Sequence, residues 1–293
     1  MPGSTEGLGL GTGNVPGAGR ERSWVENAPP GGWLPRLDAR ELWRERELAL
    51  VFALKDLKVR YKQTFFGVAW ALLQPLVGVL IFSVVFGRAA HLPSDGIPYP
   101  VFSYAGLAIW LYFASSVAAA AQSLVDNRDL VTKVYFPRLL APLAAVFPGL
   151  VDLGVSLPII GVFLAIWSVA PGLQLLLLPL WALAALATSL GVGLLFAALN
   201  VRYRDVRFAL PFVLQVWLFA SPVVYTSSLI HGAWRYLYFA NPMASVIGGF
   251  RWSIAGGPPP GPEGLVSAAT TCVLLVAGFV YYRRVERSFA DVI

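Results

Sequence analysis

Residues 65–86 read FFGVAWALLQPLVGVLIFSVVF, 22 positions without a charge. At about 1.5 Å of rise per residue, a helix of this length crosses the roughly 30 Å hydrocarbon layer of a bilayer. The segment just before it, residues 50–62, is basic and amphipathic. The segment just after it, residues 87–100, is rich in turn formers. The chain is therefore expected to run along one membrane surface, cross, and emerge on the other side.

Composition extends this reading to the whole chain. Of 293 residues, 57% are hydrophobic and 13% are charged, about half the charged share of a soluble domain. The deficit runs over most of the length, which predicts an all-α polytopic membrane protein. The net charge of +6 would suggest nucleic acid in a soluble protein. Here the basic residues border apolar runs, so orientation and anionic lipid are the better reading, and no nucleic-acid partner is expected. The single cysteine, Cys272, excludes an intrachain disulfide framework. No short apolar segment precedes a small-residue cleavage site near Met1, so the first span is expected to direct insertion itself.

Residues 1–37 are rich in Gly, Pro, Ser and Asn without periodicity and read as a disordered cytoplasmic tail. Gly7, Gly9, Gly11 and Gly13 alternate, but no Lys follows, so no phosphate loop is expected. Residues 38–64 read as an amphipathic interface helix. Asp38 and Glu41 are spaced as a capping box. Leu50, Leu54, Leu57 and Tyr61 form an apolar stripe, with Lys55, Lys58 and Lys62 on an adjacent face. Such a helix lies at the head groups; the plainer alternative is a cytosolic lead-in to the first span.

Residues 65–293 divide into six expected spans, at 65–86, about 101–124, within 139–170, 175–199, 208–224 and 265–282. Gln74-Pro75 marks a bend in the first. Trp110, Tyr112 and Phe113 fall inside the second, where they either pack in the core or face a cavity. Asp152 falls in the third. An intramembrane carboxylate is a functional candidate, or, if shallow, it reaches water or a cation. In the fourth, Ala187/Gly191 and Gly193/Ala197 place small residues four apart, which permits close helix approach. Charged loops are read at 126–138 and 200–207. Residues 225–262 are aromatic and moderately apolar, but no part makes a clean span. Two short helices dipping in from the outer face and hinged at Asn241-Pro242 fit that composition, since backbone at such depth must be covered by protein or line a cavity.

Orientation follows from Lys and Arg. Nineteen lie before the first span, in the two charged loops and after the last span. Three lie on the other side: Arg88, Arg235 and Arg251. Both termini are thus expected in the cytoplasm. The chain has no Gly-Lys-Ser/Thr phosphate loop, no Ser/His/Asp set, no metal-ligand spacing and no paired membrane carboxylates. It reads as a transport subunit, neither an enzyme nor a self-powered pump, that draws energy from another protein.

Eight motifs in order along the chain carry a resemblance: VRYKQT at 59–64, GVAWALLQP at 67–75, IPYP at 97–100, LVTKVYFPR at 130–138, YRD at 203–205, ASPVVY at 220–225, NPM at 241–243 and FADVI at 289–293. Together they resemble the polysaccharide-export permeases of type-two ABC exporters, the membrane subunits that move O-antigen, teichoic acid, capsule or galactan chains. The resemblance runs from about Trp43 to Ile293.

It implies a homodimeric six-span permease in the bacterial inner membrane, paired with two copies of a nucleotide-binding subunit that holds ATP and Mg; no cofactor is expected in this chain. The implied cargo is a lipid-linked polysaccharide moving outward, with a drug or lipid exporter of the same fold as the alternative. By position, Asn127, Arg128, Asp129, Lys133, Tyr135, Phe136 and Arg138 would couple to the ATPase. Leu50, Leu54, Lys55, Leu57, Lys58, Arg60, Tyr61 and Lys62 would form the interface helix, whose cations either attract the pyrophosphate head of the cargo or meet lipid head groups. Tyr225, Trp234, Tyr238, Asn241, Pro242 and Trp252 would form an outer gate. Tyr104, Trp110, Tyr112 and Phe113 are candidates for the glycan path, because aromatic faces suit sugar rings.

Overall fold

A computed structural model describes residues 43–62, 69–129, 136–286 and 289. The regular elements among them are helices, with no strand. Among the described residues, five stretches are long and apolar enough to cross a membrane: Leu72–Ala89, Tyr99–Asp126, Leu140–Ile166, Leu173–Arg202 and Gly264–Val285. The chain is a multi-pass membrane protein.

Helix α1 (Arg46–Tyr61) contains no Gly or Pro and is built mostly of good helix formers. The expected capping box at Asp38 lies outside the described residues, and Glu45 precedes α1 without a side-chain cap bond. The buried residue of α1 is Phe52, whose ring sits 5.5 Å from that of Phe136. Leu50 and Leu54 are exposed. The stripe read from spacing therefore splits: its first half, Leu50 and Leu54, faces away from the bundle, its end at Tyr61 turns toward α5, and the buried anchor is an aromatic outside it.

Helix α2 (Ala69–Phe82) continues into a π-helical stretch, Ser83–Ala89, and holds Pro75 in its interior. Helix α3 (Tyr99–Asp126) is the centre of the fold. In its apolar stretch 78% of residues are buried, against 11% for Leu72–Ala89 and for Gly264–Val285. Short α4 (Leu140–Ala145) and α5 (Phe147–Ile166) follow. Pro148 sits in the first turn of α5, where its missing N–H costs nothing. Helix α6 (Leu178–Arg202) is preceded by a 3-10 turn, Leu173–Leu177. It runs three residues past the expected span end at Leu199. The buried Asn200 side chain donates to the Ala121 carbonyl of α3 (2.9 Å), so the second charged loop shrinks to residues 203–205.

Helix α7 (Val206–Phe219) has 14 residues and spans only about 21 Å, too short to cross by itself. The chain then turns before α8 (Ala233–Tyr238) and α9 (Pro242–Ala255). Asn241 caps α9 by accepting the Met243 N–H at 3.0 Å, with Pro242 at the first helical position. Gly256 ends α9 with φ +75°, a conformation that favours glycine. Helix α10 (Gly264–Val285) closes the fold.

Helix α3 packs against α2, α4, α5, α6, α7 and α9, while α10 lies on α6. The small residues of α6 make these approaches possible. A Cβ at Gly191 would lie 2.7 Å from the Leu275 backbone nitrogen, and one at Gly193 would lie 2.7 Å from the Ala120 Cβ. Across the α6–α10 contact the Thr188 and Thr271 hydroxyls meet at 3.2 Å. A side chain at Gly278 would run into the Gly191 carbonyl. Gly278→Leu is therefore expected to cost about 1–3 kcal/mol through overpacking. Gly154→Ala, whose added carbon meets nothing within 4 Å, should leave stability within about 0.5 kcal/mol of the parent. Thermal unfolding of the purified protein in detergent checks both.

Candidate functional site

At one end of the bundle, α1 is tied to two other helices. Arg60 Nη1 lies 2.8 Å from Asp152 Oδ2 of α5, and the Tyr61 hydroxyl donates to Asp152 Oδ1. Lys55 Nζ donates to Asn127 Oδ1 at the end of α3 (2.5 Å), and Asn127 Nδ2 donates to the Ser123 carbonyl (2.7 Å). Asp152 thus reaches a cation. On α1, burial pushes the Asp56 carboxyl up; Lys55 opposes this and Asp126 adds to it.

The segment expected to couple to an ATPase begins at Asn127 and ends at Arg138. Both of its ends are fastened. Arg138 Nη1 donates to the Glu286 carbonyl (2.6 Å), and the Arg138 carbonyl accepts from the Tyr282 hydroxyl (2.9 Å). Tyr282 is buried against Phe289, with rings 5.3 Å apart. Arg128 and Asp129 are on the surface, and Phe136 is buried against Phe52. Lys133 and Tyr135 lie outside the described residues. Of the interface-helix cations, Lys55 and Arg60 are engaged by protein groups, while Lys58 and Lys62 are exposed.

The four aromatics proposed for a glycan path are buried, each 3% exposed or less. Trp110 and Phe113 pack against each other and against Trp217 of α7, and Tyr104 packs on Phe163. In the single chain these rings pack in the core. Tyr112 also borders a cleft of about 240 Å³, shared with Arg60, Gln74 and Asp152.

At the opposite end, the expected gate residues form a hydrogen-bonded knot. Trp217 Nε1 donates to Asn241 Oδ1 (2.9 Å), and Asn241 Nδ2 donates to Ser221 Oγ (2.8 Å). The Tyr238 hydroxyl donates to that of Tyr225 (3.2 Å). Trp234 points outward, 72% exposed, and Trp252 is half-buried.

Four residues here were not singled out from sequence as site residues. Arg251, counted with the cations of the outer side, sits in α9 and is 5% exposed. Its guanidinium lies 3.5 Å from the Phe102 ring centre and donates to the carbonyls of Phe102 (3.0 Å), Pro222 (2.9 Å) and Val223 (3.1 Å). A lone Arg within an apolar 14-residue helix was the available signal. Asp95 accepts from the Thr226 hydroxyl and from Ser228 Oγ, the latter at 2.9 Å. Arg235 pairs with Glu263. These residues line a cavity of about 200 Å³ together with Ser245 and Trp252. Among the described residues no cluster of three His, Cys, Asp or Glu could hold a metal ion.

Residues 48–255, from within α1 to the last residue of α9, match the ABC-2 type transporter family. The chain belongs to this family. It is similar to an O-antigen export system permease protein RfbA of Myxococcus xanthus, with 33% identity over 259 residues that cover 86% of this chain and 97% of the relative. It is also similar to an RfbA of Klebsiella pneumoniae, 28% identical and covering 84% of this chain and 95% of that protein. A polysialic acid transport protein KpsM of Escherichia coli is 26% identical, covering 80% and 92%. The ABC-2 match takes in the α1 ties and the opposite cavity except the turn after α9.

The Arg60–Asp152 pair should couple by about 0.5–3 kcal/mol in a double-mutant cycle of Arg60→Gln and Asp152→Asn. Hydrogen exchange of the α1 amides is the readout, and additive effects would show that α1 is held without the pair. Burial pushes the Glu263 carboxyl up, but its own backbone N–H and the Arg235 guanidinium together hold it below its ordinary 4.5. A depressed folded value means that the stabilisation is present above pH 4.5 and is lost as pH falls through the lower folded value. The melting-point gap between the parent and Glu263→Gln should therefore be present at neutral pH and vanish on acidification below 4.5.

Proposed function

We propose that this chain is the membrane subunit of an ATP-driven exporter that moves a lipid-linked polysaccharide from the cytoplasm to the outer face of the inner membrane. The observation that carries this is the 33% identity, across nearly the full length of both chains, to a protein named as an O-antigen export permease. Similarity to a polysialic acid transport protein points to the same cargo class. Two copies of the chain pair with two copies of a nucleotide-binding subunit, which holds ATP and Mg. Both termini face the cytoplasm, α7 with the turn after it completes a sixth crossing, and α8 and α9 are re-entrant from the outer face.

The ties at the α1 end support a coupling role. Residues 127–138 contact the interface helix through Asn127 and the last helix through Arg138. Asp152 ties α5 to the same interface helix. A displacement of this segment by an ATPase would therefore be shared among α1, α3, α5 and α10. Lys58 and Lys62, exposed on α1, are the cations available to a pyrophosphate head or to lipid head groups.

Proteoliposomes holding this chain and an ATP-binding subunit purified with it should translocate labelled lipid-linked polysaccharide only with ATP. The chain alone should hydrolyse none. Transport of lipids or drugs in preference to glycan would favour a different exporter of the same family, and hydrolysis by the chain alone would overturn the division of labour. Arg138→Ala and Asp129→Ala should lower recovery of the ATPase with the chain at normal membrane insertion. Unchanged recovery and unchanged export would remove the coupling role.

A further inference from the structure

The cavity at the end opposite α1 has walls from five places in the chain: the turn at 95–97, residues 222–228, α8, α9 and the turn at 256–264. At about 200 Å³ it is below the usual range for a drug-sized ligand. It suits a single ring, not an oligosaccharide or a lipid tail.

Its lining is polar and held in place before any ligand arrives. Asp95 has φ +52°, an uncommon left-handed backbone for a non-glycine residue. Two hydroxyls, from Thr226 and Ser228, hold its carboxylate there. Arg251 is fixed by three carbonyls and the Phe102 ring. Arg235 is fixed by Glu263. Within this ordered frame two groups are left over. The Ser245 side chain is 7% exposed, and its Oγ has no hydrogen-bond partner among the described residues. Arg235 Nε is likewise buried and unpartnered. Buried polar groups normally find partners, so a donor or acceptor supplied from outside is the natural complement of these two.

Charge selects the ligand class. The lining holds two guanidinium groups and two carboxylates, Arg235 and Arg251 against Asp95 and Glu263, so it is formally neutral. A phosphate or an acidic sugar gains no net attraction there. A neutral ring with hydroxyls on its edge can both donate to carboxylates and accept from guanidinium and serine. Trp252 adds a half-buried aromatic face, which complements the C–H face of such a ring.

We propose that this cavity is a saccharide subsite, taking one neutral pyranose residue on the exit side of the bundle. The assignment deepens the polysaccharide-export reading and rests on it for the source of the sugar. The site holds one residue weakly, at millimolar affinity, so that a passing chain is guided without being trapped.

The test uses the purified full-length chain in nanodiscs, without ATPase or nucleotide. The probes are methyl α-D-mannopyranoside, methyl α-D-galactopyranoside, methyl β-D-glucopyranoside and methyl α-L-rhamnopyranoside, with glucuronate and inorganic phosphate as charged competitors, followed by saturation-transfer NMR. At least one neutral glycoside should give a saturable signal that phosphate does not displace. Ser245→Ala should weaken binding roughly three- to tenfold, the worth of one hydrogen bond, and should leave the melting temperature of the free protein unchanged or raised. A serine with only a structural role would show the opposite pattern, with lower melting temperature and unaltered binding. Trp252→Ala should weaken binding too, whereas Trp252→Phe should retain most of it. Absence of saturable binding by every neutral glycoside, preference for phosphate or glucuronate, or binding indifferent to Ser245→Ala and Trp252→Ala would each overturn the subsite. ATP-dependent export with no glycoside binding removes the subsite and leaves the export reading intact; glycoside binding without export does the reverse.

Discussion

Helices in lipid gain little by covering apolar surface with apolar surface, because the lipid tails are equally apolar. They associate by close packing and by satisfying polar groups, and α3 is where this chain does both. Six helices close around it, α7 through Trp217 among them, and most of its apolar stretch sees protein on every side. Glycines of α6 let a neighbouring backbone approach to near contact. Asn200 of α6 and Arg251 of α9 both donate to carbonyls on α3. With α3 enclosed, the peripheral helices are placed relative to it and so to one another.

The two ends of α3 carry different chemistry. At its last residue and beyond, Asn127 receives Lys55 and so couples the core to α1. Near its first turn, the Tyr99 hydroxyl donates to the Val224 carbonyl (2.6 Å), and the Phe102 carbonyl and ring hold Arg251. One continuous 28-residue helix therefore connects the segment assigned to energy coupling with the frame of the opposite cavity. A rigid element joining two sites is a physical route for coupling, though spatial connection alone does not establish an energetic one.

Spans were legible because apolar length is a one-dimensional property. The windows for the second, fourth and sixth spans fall within a few residues of Tyr99–Asp126, Leu173–Arg202 and Gly264–Val285. The family resemblance rested on ordered short motifs and is matched by the ABC-2 assignment. What spacing could not supply was partner identity across distance. The stripe of Leu50 and Leu54 had the right period, yet Phe52 makes the contact, because a helix at an interface has two apolar directions, lipid and bundle. Arg251 entered the sequence reading only as one of three outer-side cations; its cost when buried is met by three carbonyls from elsewhere in the chain, which spacing does not reveal. Asp95, Glu263 and Ser245 belong to three separate segments, and only the folded chain brings them to one cavity.

Helix α7 has a consequence for the membrane itself. At 14 residues it falls about 9 Å short of a typical hydrocarbon thickness. As the sixth crossing proposed above, it would require the lipid beside it to thin, or the buried turn at residues 220–225 to lie within the hydrocarbon. Either adjustment concentrates bilayer deformation along one flank of the protein. Longer acyl chains or added sterol would raise the elastic penalty on that flank alone, making bilayer thickness a selective control on the outer helices that follow it.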